Sequence, residues 1–312
     1  MTTVVEPQHE APAPAGTAVE REFTVQARSQ REQIISRFLH NKQAMTGLIV
    51  FAILVVGAFV GPLVYRWNYT DIDLSSKSVG IGSPHHILGT QELGRDLLAL
   101  LMRGVQRSAL IVAIVVGIAG CTGVLVGSIA GYYGRWIDNL LMRLVDLILT
   151  LPGLIVITVV AASIPSARSA IGVGIILGAF GWLDLARLIR AQFLSLRERE
   201  FVEAAHAMGA SDRRIIFRHL IPNALGSIIV WATLAAAIAV LAEAALTYLG
   251  YGIQGDDTSL GRLVSDGVAA ADSRPWLFYV PGLLLMILVM CINLIGDGIR
   301  DAFDPSHKRV RS

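Results

Sequence analysis

Apolar residues fall in six blocks, roughly 44–65, 108–131, 139–163, 170–190, 224–248 and 277–296. A helix rises about 1.5 Å per residue, so about twenty apolar residues cross the roughly 30 Å hydrocarbon layer. The pattern therefore predicts an all-α integral membrane protein with about six transmembrane helices. Only the short polar turn from Ile164 to Ser169 divides the third block from the fourth. Residues 31–305 form one membrane domain in this reading. Residues 1–30 lack the apolar core of a signal peptide, and their Pro/Ala/Glu-rich composition predicts a disordered tail. Residues 306–312 are a short basic tail.

The polar stretches between the blocks are unequal. Segments 67–107 and 250–276 are long. In the first, Leu97, Leu98, Leu101 and Met102 recur at helical spacing and predict an interfacial helix ahead of the second span. The second is rich in Gly, Asp and Ser and reads as loop with a short helix. Segment 197–222 is charged and amphipathic. Arg197–Met208 is composed of good helix formers, and Gly209 supplies the left-handed conformation that closes a helix. Ser211 is placed to cap a second helix, which Pro222 is expected to end. Ile216 with Leu220, and Phe217 with Ile221, form i,i+4 apolar pairs, while Arg213, Arg214 and Arg218 lie opposite. This predicts a helix–Gly–helix hairpin with one apolar and one basic face. A basic amphipathic stretch can rest on anionic lipid, but the small side chains of Ala204 and Ala205 favour docking in a protein groove.

Charge sets the orientation. If both termini are cytoplasmic, the inside segments carry 18 Lys and Arg and the outside segments 8, the bias expected of inner loops. The composition, 54% hydrophobic and 16% charged with mean hydropathy +0.60, falls well below the roughly 25% charged residues of soluble domains. A net charge of +2 with no basic, aromatic-interleaved stripe excludes a nucleic-acid partner.

Candidate chemistry is sparse. No GxxxxGK[ST] loop occurs, so the chain encodes no nucleotide site of that kind. No nucleophile–base arrangement suggests an enzyme. His85 and His86 lack a third ligand and read as solvated loop rather than metal site. Cys121 and Cys291 read as small buried apolar residues. Within the blocks, Arg143 and Asp146 are spaced to pair on one helix face, and Asp184 and Arg187 repeat that spacing. Glu243 stands alone near the outer end of the fifth block. Asp146, Asp184 and Glu243 are either helix–helix contacts or members of a translocation path. Gly117, Gly120, Gly123 and Gly127 offer a close-packing face.

Glu203-Ala204-Ala205, Gly209 and Leu220-Ile221-Pro222 together resemble the EAA signature of ABC-importer permease subunits. Further stretches resemble the dipeptide/oligopeptide branch of that family. They are Leu88-Gly89-Thr90 with Leu93 to Asp96, Asp138 to Pro152, Ala186 to Glu200, Leu249 to Gly252, and Asn293 to Asp301 with Asp304-Pro305. In order, they cover about residues 32–305. The resemblance implies a type I importer permease fold and a subunit that is not itself catalytic. It implies that Glu203, Ala204, Ala205, Gly209, Ile216, Phe217, Leu220 and Pro222 form a coupling hairpin docking on an ATPase. The implied partners are a second homologous permease, two ATPase subunits that bind ATP and Mg, and an extracytoplasmic solute-binding protein. No cofactor is expected in this chain. Peptides are the implied solute; nickel, glutathione and haem-like solutes are carried by related systems. A lone channel, a secondary transporter or a membrane enzyme would each need features the residues do not supply: internal repeats and a charge relay, or a catalytic cluster. His219, Leu260 and Asp184 depart from the family pattern, where Ile, Trp and a small or neutral residue are usual. The last two bear on the solute path.

Overall fold

The computed structural model describes residues 30–303, and the tails expected at 1–30 and 306–312 lie almost wholly outside them. The described residues are helical, with no strand among them. A short amphipathic helix α1 (Gln30–His40) leads into α2 (Lys42–Val64), whose first turn is capped by the Asn41 side chain accepting from the backbone of Gln43 and Ala44. Then come α3 (Leu97–Tyr133), α4 (Arg135–Leu149), α5 (Gly153–Ser163), α6 (Ala170–Gly181) and α7 (Leu183–Leu196). The chain continues through α8 (Glu200–Ala207), α9 (Asp212–Ile215), α10 (Ile221–Tyr248), α11 (Leu260–Val268) and α12 (Trp276–Phe303). Five helical stretches are long and apolar enough to cross a membrane, and α4 with α5 can supply a sixth crossing. The all-α membrane architecture read from the pattern is the one observed.

Three details differ from the sequence reading. The 139–163 block is not one straight rod: α4 and α5 meet at an 82° bend. Pro152 lies in the break, where its missing N–H and its ring cannot continue the α4 ladder. Second, the helix expected along the interface before the second span is the start of that span. Asp96 caps α3 by accepting from Ala99 N at 2.8 Å, and the helix then runs 37 residues without interruption. At about 55 Å it exceeds the hydrocarbon thickness, and its first turns bury Leu97, Leu100 and Leu101 against α11 and α12. Third, Cys121 is exposed on α3, whereas Cys291 is buried as expected.

α3 is the spine. α7 lies parallel to it, so closely that a Cβ at Gly123 would sit 2.8 Å from Leu185 Cβ. At Gly127 it would meet the Ala186 carbonyl oxygen at 2.5 Å, and at Gly131 the Phe193 Cβ at 2.6 Å. Of the four glycines picked out from the sequence, Gly123 and Gly127 make this seam, Gly120 only nears Trp231, and Gly117 faces open space. Small residues let two helix backbones approach, and in lipid that van der Waals contact is a main source of association.

This seam makes a testable contrast. Gly127→Leu should destabilise the purified protein by about 1–3 kcal/mol or more through overpacking, read as a lower thermal unfolding midpoint in detergent. Gly117→Leu should leave the midpoint unchanged.

Candidate functional site

Segment 197–220 folds onto the end of α7. α8 closes at Gly209, whose φ is +77°. Gly209 N donates to His206 O at 2.9 Å and Ala210 N to Ala205 O at 3.0 Å, the paired bonds that terminate a helix through a left-handed residue. The hairpin expected from the sequence forms, but its second arm differs. Ser211 sits at the N-cap position of α9 without a side-chain cap bond. The neighbouring Asp212 side chain accepts from Tyr132 OH at 2.8 Å instead, tying the hairpin to the end of α3.

Pro222 does not end the second arm. Residues 216–220 form a π-turn, in which Ile221 N donates to Ile216 O, and α9 runs through this turn into α10. A proline lacks the N–H that would bond four residues back and crowds that carbonyl. Widening the preceding turn re-registers the ladder and lets the helix pass Pro222 unbroken. The second arm and the span are therefore one continuous helix from Asp212 to Tyr248.

Burial sorts the hairpin residues into two sets. Val202, Ala205, Ile215, Ile216 and Leu220 are buried with Leu185, Ile189, Phe193 and Ala224 in an apolar cluster. Ala205, Ile216 and Leu220, assigned from the sequence to a docking surface, thus face this chain's own interior. The reason is that the apolar stripe has an internal acceptor, the apolar side of α7. The outward surface carries Glu203, Ala204, Met208, Gly209, Phe217 and Pro222, with Met208 81% and Phe217 65% exposed. Arg213, Arg214 and Arg218 are also exposed, as the basic face predicted.

The intramembrane charges pair differently from the sequence reading. Arg187 on α7 pairs with Asp146 on α4. Arg190 pairs with Asp138 through two contacts, one of 2.6 Å from Nη2 to Oδ2. The i,i+3 partners Arg143–Asp146 and Asp184–Arg187 do not form, because each Arg187 and Asp146 finds the other across the α4–α7 interface. Asp184 and Arg143 are exposed, with no ion-pair partner among the described residues.

Glu243 is not isolated. It is 1% exposed, and its Oε1 accepts from Thr247 Oγ1 at 2.8 Å and from Ser259 Oγ at 2.6 Å. Ser259 in turn accepts from Arg262 N, capping α11. Gly261 lies against α10 at Ala244, where a Cβ would come within 2.5 Å. Glu243 fastens α11 to α10 and is not on an open wall.

At the end opposite the hairpin, the two long segments are joined. Asp257 bridges Arg103 and Arg107, at 2.8 and 2.6 Å, and Arg274 pairs with Glu92. His86, expected to be solvated, is buried instead, with Nδ1 2.8 Å from Asp96 Oδ2 and its ring on Trp67. Tyr65 OH donates to the same carboxylate at 3.0 Å. Burial and the adjacent Asp96 charge push the Tyr65 phenol up to about 12. No group of three metal-ligating side chains occurs among the described residues. Arg103 and Arg107, one turn apart, both reach Asp257, and Arg95 reaches Asp256; this charge pattern could have signalled the junction in the sequence. Nothing in the sequence marked the His86–Asp96 contact.

A helical membrane bundle with a hairpin at one end that exposes Glu203 and Ala204, and a tied pair of segments at the other, is the architecture of an importer permease. Residues 123–309 match the family model described as binding-protein-dependent transport system inner membrane component. Residues 29–79 match the N-terminal TM domain of oligopeptide transport permease C. The chain belongs to this family of ABC-importer permeases, in its dipeptide/oligopeptide branch. It is 41% identical to the oligopeptide transport system permease protein OppC of Mycobacterium tuberculosis, over 91% of this chain and 97% of that protein. It is 38% identical to the dipeptide transport system permease protein DppC of Alkalihalophilus pseudofirmus, over 95% and 96%. With OppC of Haemophilus influenzae the identity is 36%, over 92% of each.

The two ion pairs should differ in weight. Asp138→Ala strands the partly buried Arg190 guanidinium and should cost roughly 2–4 kcal/mol, towards the range for broken buried pairs. Asp146→Ala breaks a half-exposed pair and should cost under about 1 kcal/mol. Thermal unfolding of the two variants in detergent checks the order.

Proposed function

We propose that this chain is a non-catalytic permease subunit of a peptide importer, forming half of a translocation pathway and coupling it to ATP hydrolysis through the 197–222 hairpin. The observation carrying this reading is the outward set Glu203, Ala204, Met208, Gly209 and Phe217, displayed at one end of a bundle of this family. Peptides are favoured over nickel, glutathione or haem-like solutes because the similar proteins are named as oligopeptide and dipeptide transport permeases. The excess of Lys and Arg on segments at the hairpin end supports a cytoplasmic position for that end and for both termini, in the bacterial inner membrane.

The partners are a second homologous permease, two ATPase subunits holding ATP and Mg, and an extracytoplasmic solute-binding protein docking on segments 67–107 and 250–276. ATP binding draws the ATPases together, and the hairpins move with them. Ala205, Ile216 and Leu220 are packed on α7, so the hairpin transmits displacement as part of a rigid unit with α7 and α10. Each nucleotide state must contact the hairpin differently to shift the equilibrium, and the exposed residues make those contacts. Asp146 and Asp184 stand on the wall of the path; Glu243 holds α11 in place behind it.

Glu203→Arg and Gly209→Pro should lower solute uptake and solute-stimulated ATP hydrolysis at least about tenfold, a coupling loss of about 1.4 kcal/mol, while the complex still co-purifies. Normal coupled hydrolysis in both variants would overturn the assignment. Uptake by this chain alone, without ATPase subunits, would favour a standalone transporter.

A further inference from the structure

The exposed charges on α4 and α7 lie in stretches long and apolar enough to cross a membrane. Gly131 faces Arg190 and Phe193, Gly127 faces Ala186 and Ile189, and Gly123 faces Trp182 and Leu185. That register sets Asp184 level with the Gly123 turn of α3, about 14 Å in from the hairpin end of the helix. A charged side chain facing hydrocarbon within a span is costly, so it turns to protein or water. Yet Asp184 and Arg143 are both exposed on this chain, as are Asp146 and Arg187. On α4, Asn139, Arg143, Asp146 and Thr150 repeat at 4-3-4 spacing and make one exposed polar stripe, whereas Trp136, Leu140, Leu144 and Leu147 follow a separate apolar row.

The Arg187–Asp146 pair satisfies itself. It leaves one free cation and one free anion flanking it, since Arg143 lies one turn before Asp146 and Asp184 one turn before Arg187. Because α4 and α7 run in opposite directions, these two groups lie on opposite sides of the pair along the path, Arg143 nearer the hairpin end and Asp184 deeper. A surface closed by another protein would have to neutralise both charges. A water-filled wall leaves them free to meet a solute carrying both signs.

We propose that Arg143 and Asp184 are specificity-determining residues of the path, meeting respectively the carboxylate and the ammonium end of a short zwitterionic peptide. This rests on the permease reading above. The two charges give the wall opposite polarity at two depths, so a solute with both termini free is held along the path rather than across it.

The test uses the complete transporter with its binding protein in proteoliposomes and trialanine as the solute. Asp184→Asn and Arg143→Gln should each lower the maximal uptake rate about tenfold with the half-saturating concentration unchanged, since capture belongs to the binding protein. Asp184→Glu should retain most of the rate. The double reversal Arg143→Asp with Asp184→Arg should recover uptake above either neutral variant, because a flexible zwitterion can enter end for end. Equal rates in wild type and both neutral variants, or a double reversal that assembles yet transports no better than they do, would overturn the proposal. If the double variant does not assemble, the Asn and Glu variants at 184 decide: rates that fall alike in both overturn it. Asp184→Cys, made in a chain whose exposed Cys121 is removed by Cys121→Ser, separates this from the path reading. Reaction with a charged, water-soluble thiol reagent in the assembled complex supports a wet wall, and its absence overturns the path assignment itself.

Discussion

α7 can lie on α3 only because Gly123, Gly127 and Gly131 leave no side chain between the two backbones. The functional parts hang from that seam. α7 carries Asp184, Arg187 and Arg190 along its outer side and presents Leu185, Ile189 and Phe193 to the hairpin. A wider seam would separate Arg190 from Asp138 and Arg187 from Asp146, and would remove the surface on which Ile216 and Leu220 are buried. Helix contact in lipid gains little from the hydrophobic effect and depends on fit, so a small residue here has consequences far beyond its own volume.

The π-turn at 216–220 is the second constraint. It carries the hairpin's second arm into α10 without a joint. A displacement imposed on Phe217 therefore reaches Glu243, near the far end of the same helix, as motion of one rod. There Glu243 holds Ser259 and with it the start of α11. The chain thus connects its hairpin to the segment at the opposite face through continuous backbone and one buried carboxylate. That is a physical route by which an event at one membrane surface is felt at the other, and it needs no chain of side-chain contacts.

Much of this was legible from residue order. Apolar blocks located the spans because hydrocarbon tolerates no unpaired backbone, and Gly209 announced its turn because few other residues adopt its conformation. What local spacing could not reveal was which partner wins. Arg143 and Asp146 are suitably spaced, but Arg187 approaches Asp146 from another helix, and that contact depends on the glycine seam. Similarly, the i,i+4 pair Ile216–Leu220 identified an apolar face without saying that α7, rather than another subunit, would cover it. Pro222 misled for a related reason: a proline stops a helix unless the preceding turn widens, and the widening is not written in the proline.

Asp184, expected from the resemblance to be a small or neutral residue, is an exposed acid without an ion-pair partner among the described residues. Had it paired with Arg187, it would be one more self-satisfied contact between turns. Because Asp146 takes Arg187, the acidic group at 184 is left over, as is the basic group at 143. Unpaired charges of opposite sign are an expensive arrangement to keep in a membrane, and helix association does not require them, since Asp138–Arg190 and Asp146–Arg187 already join α4 to α7. On the reading proposed above, their cost is offset by a solute in the path that carries one charge at each end.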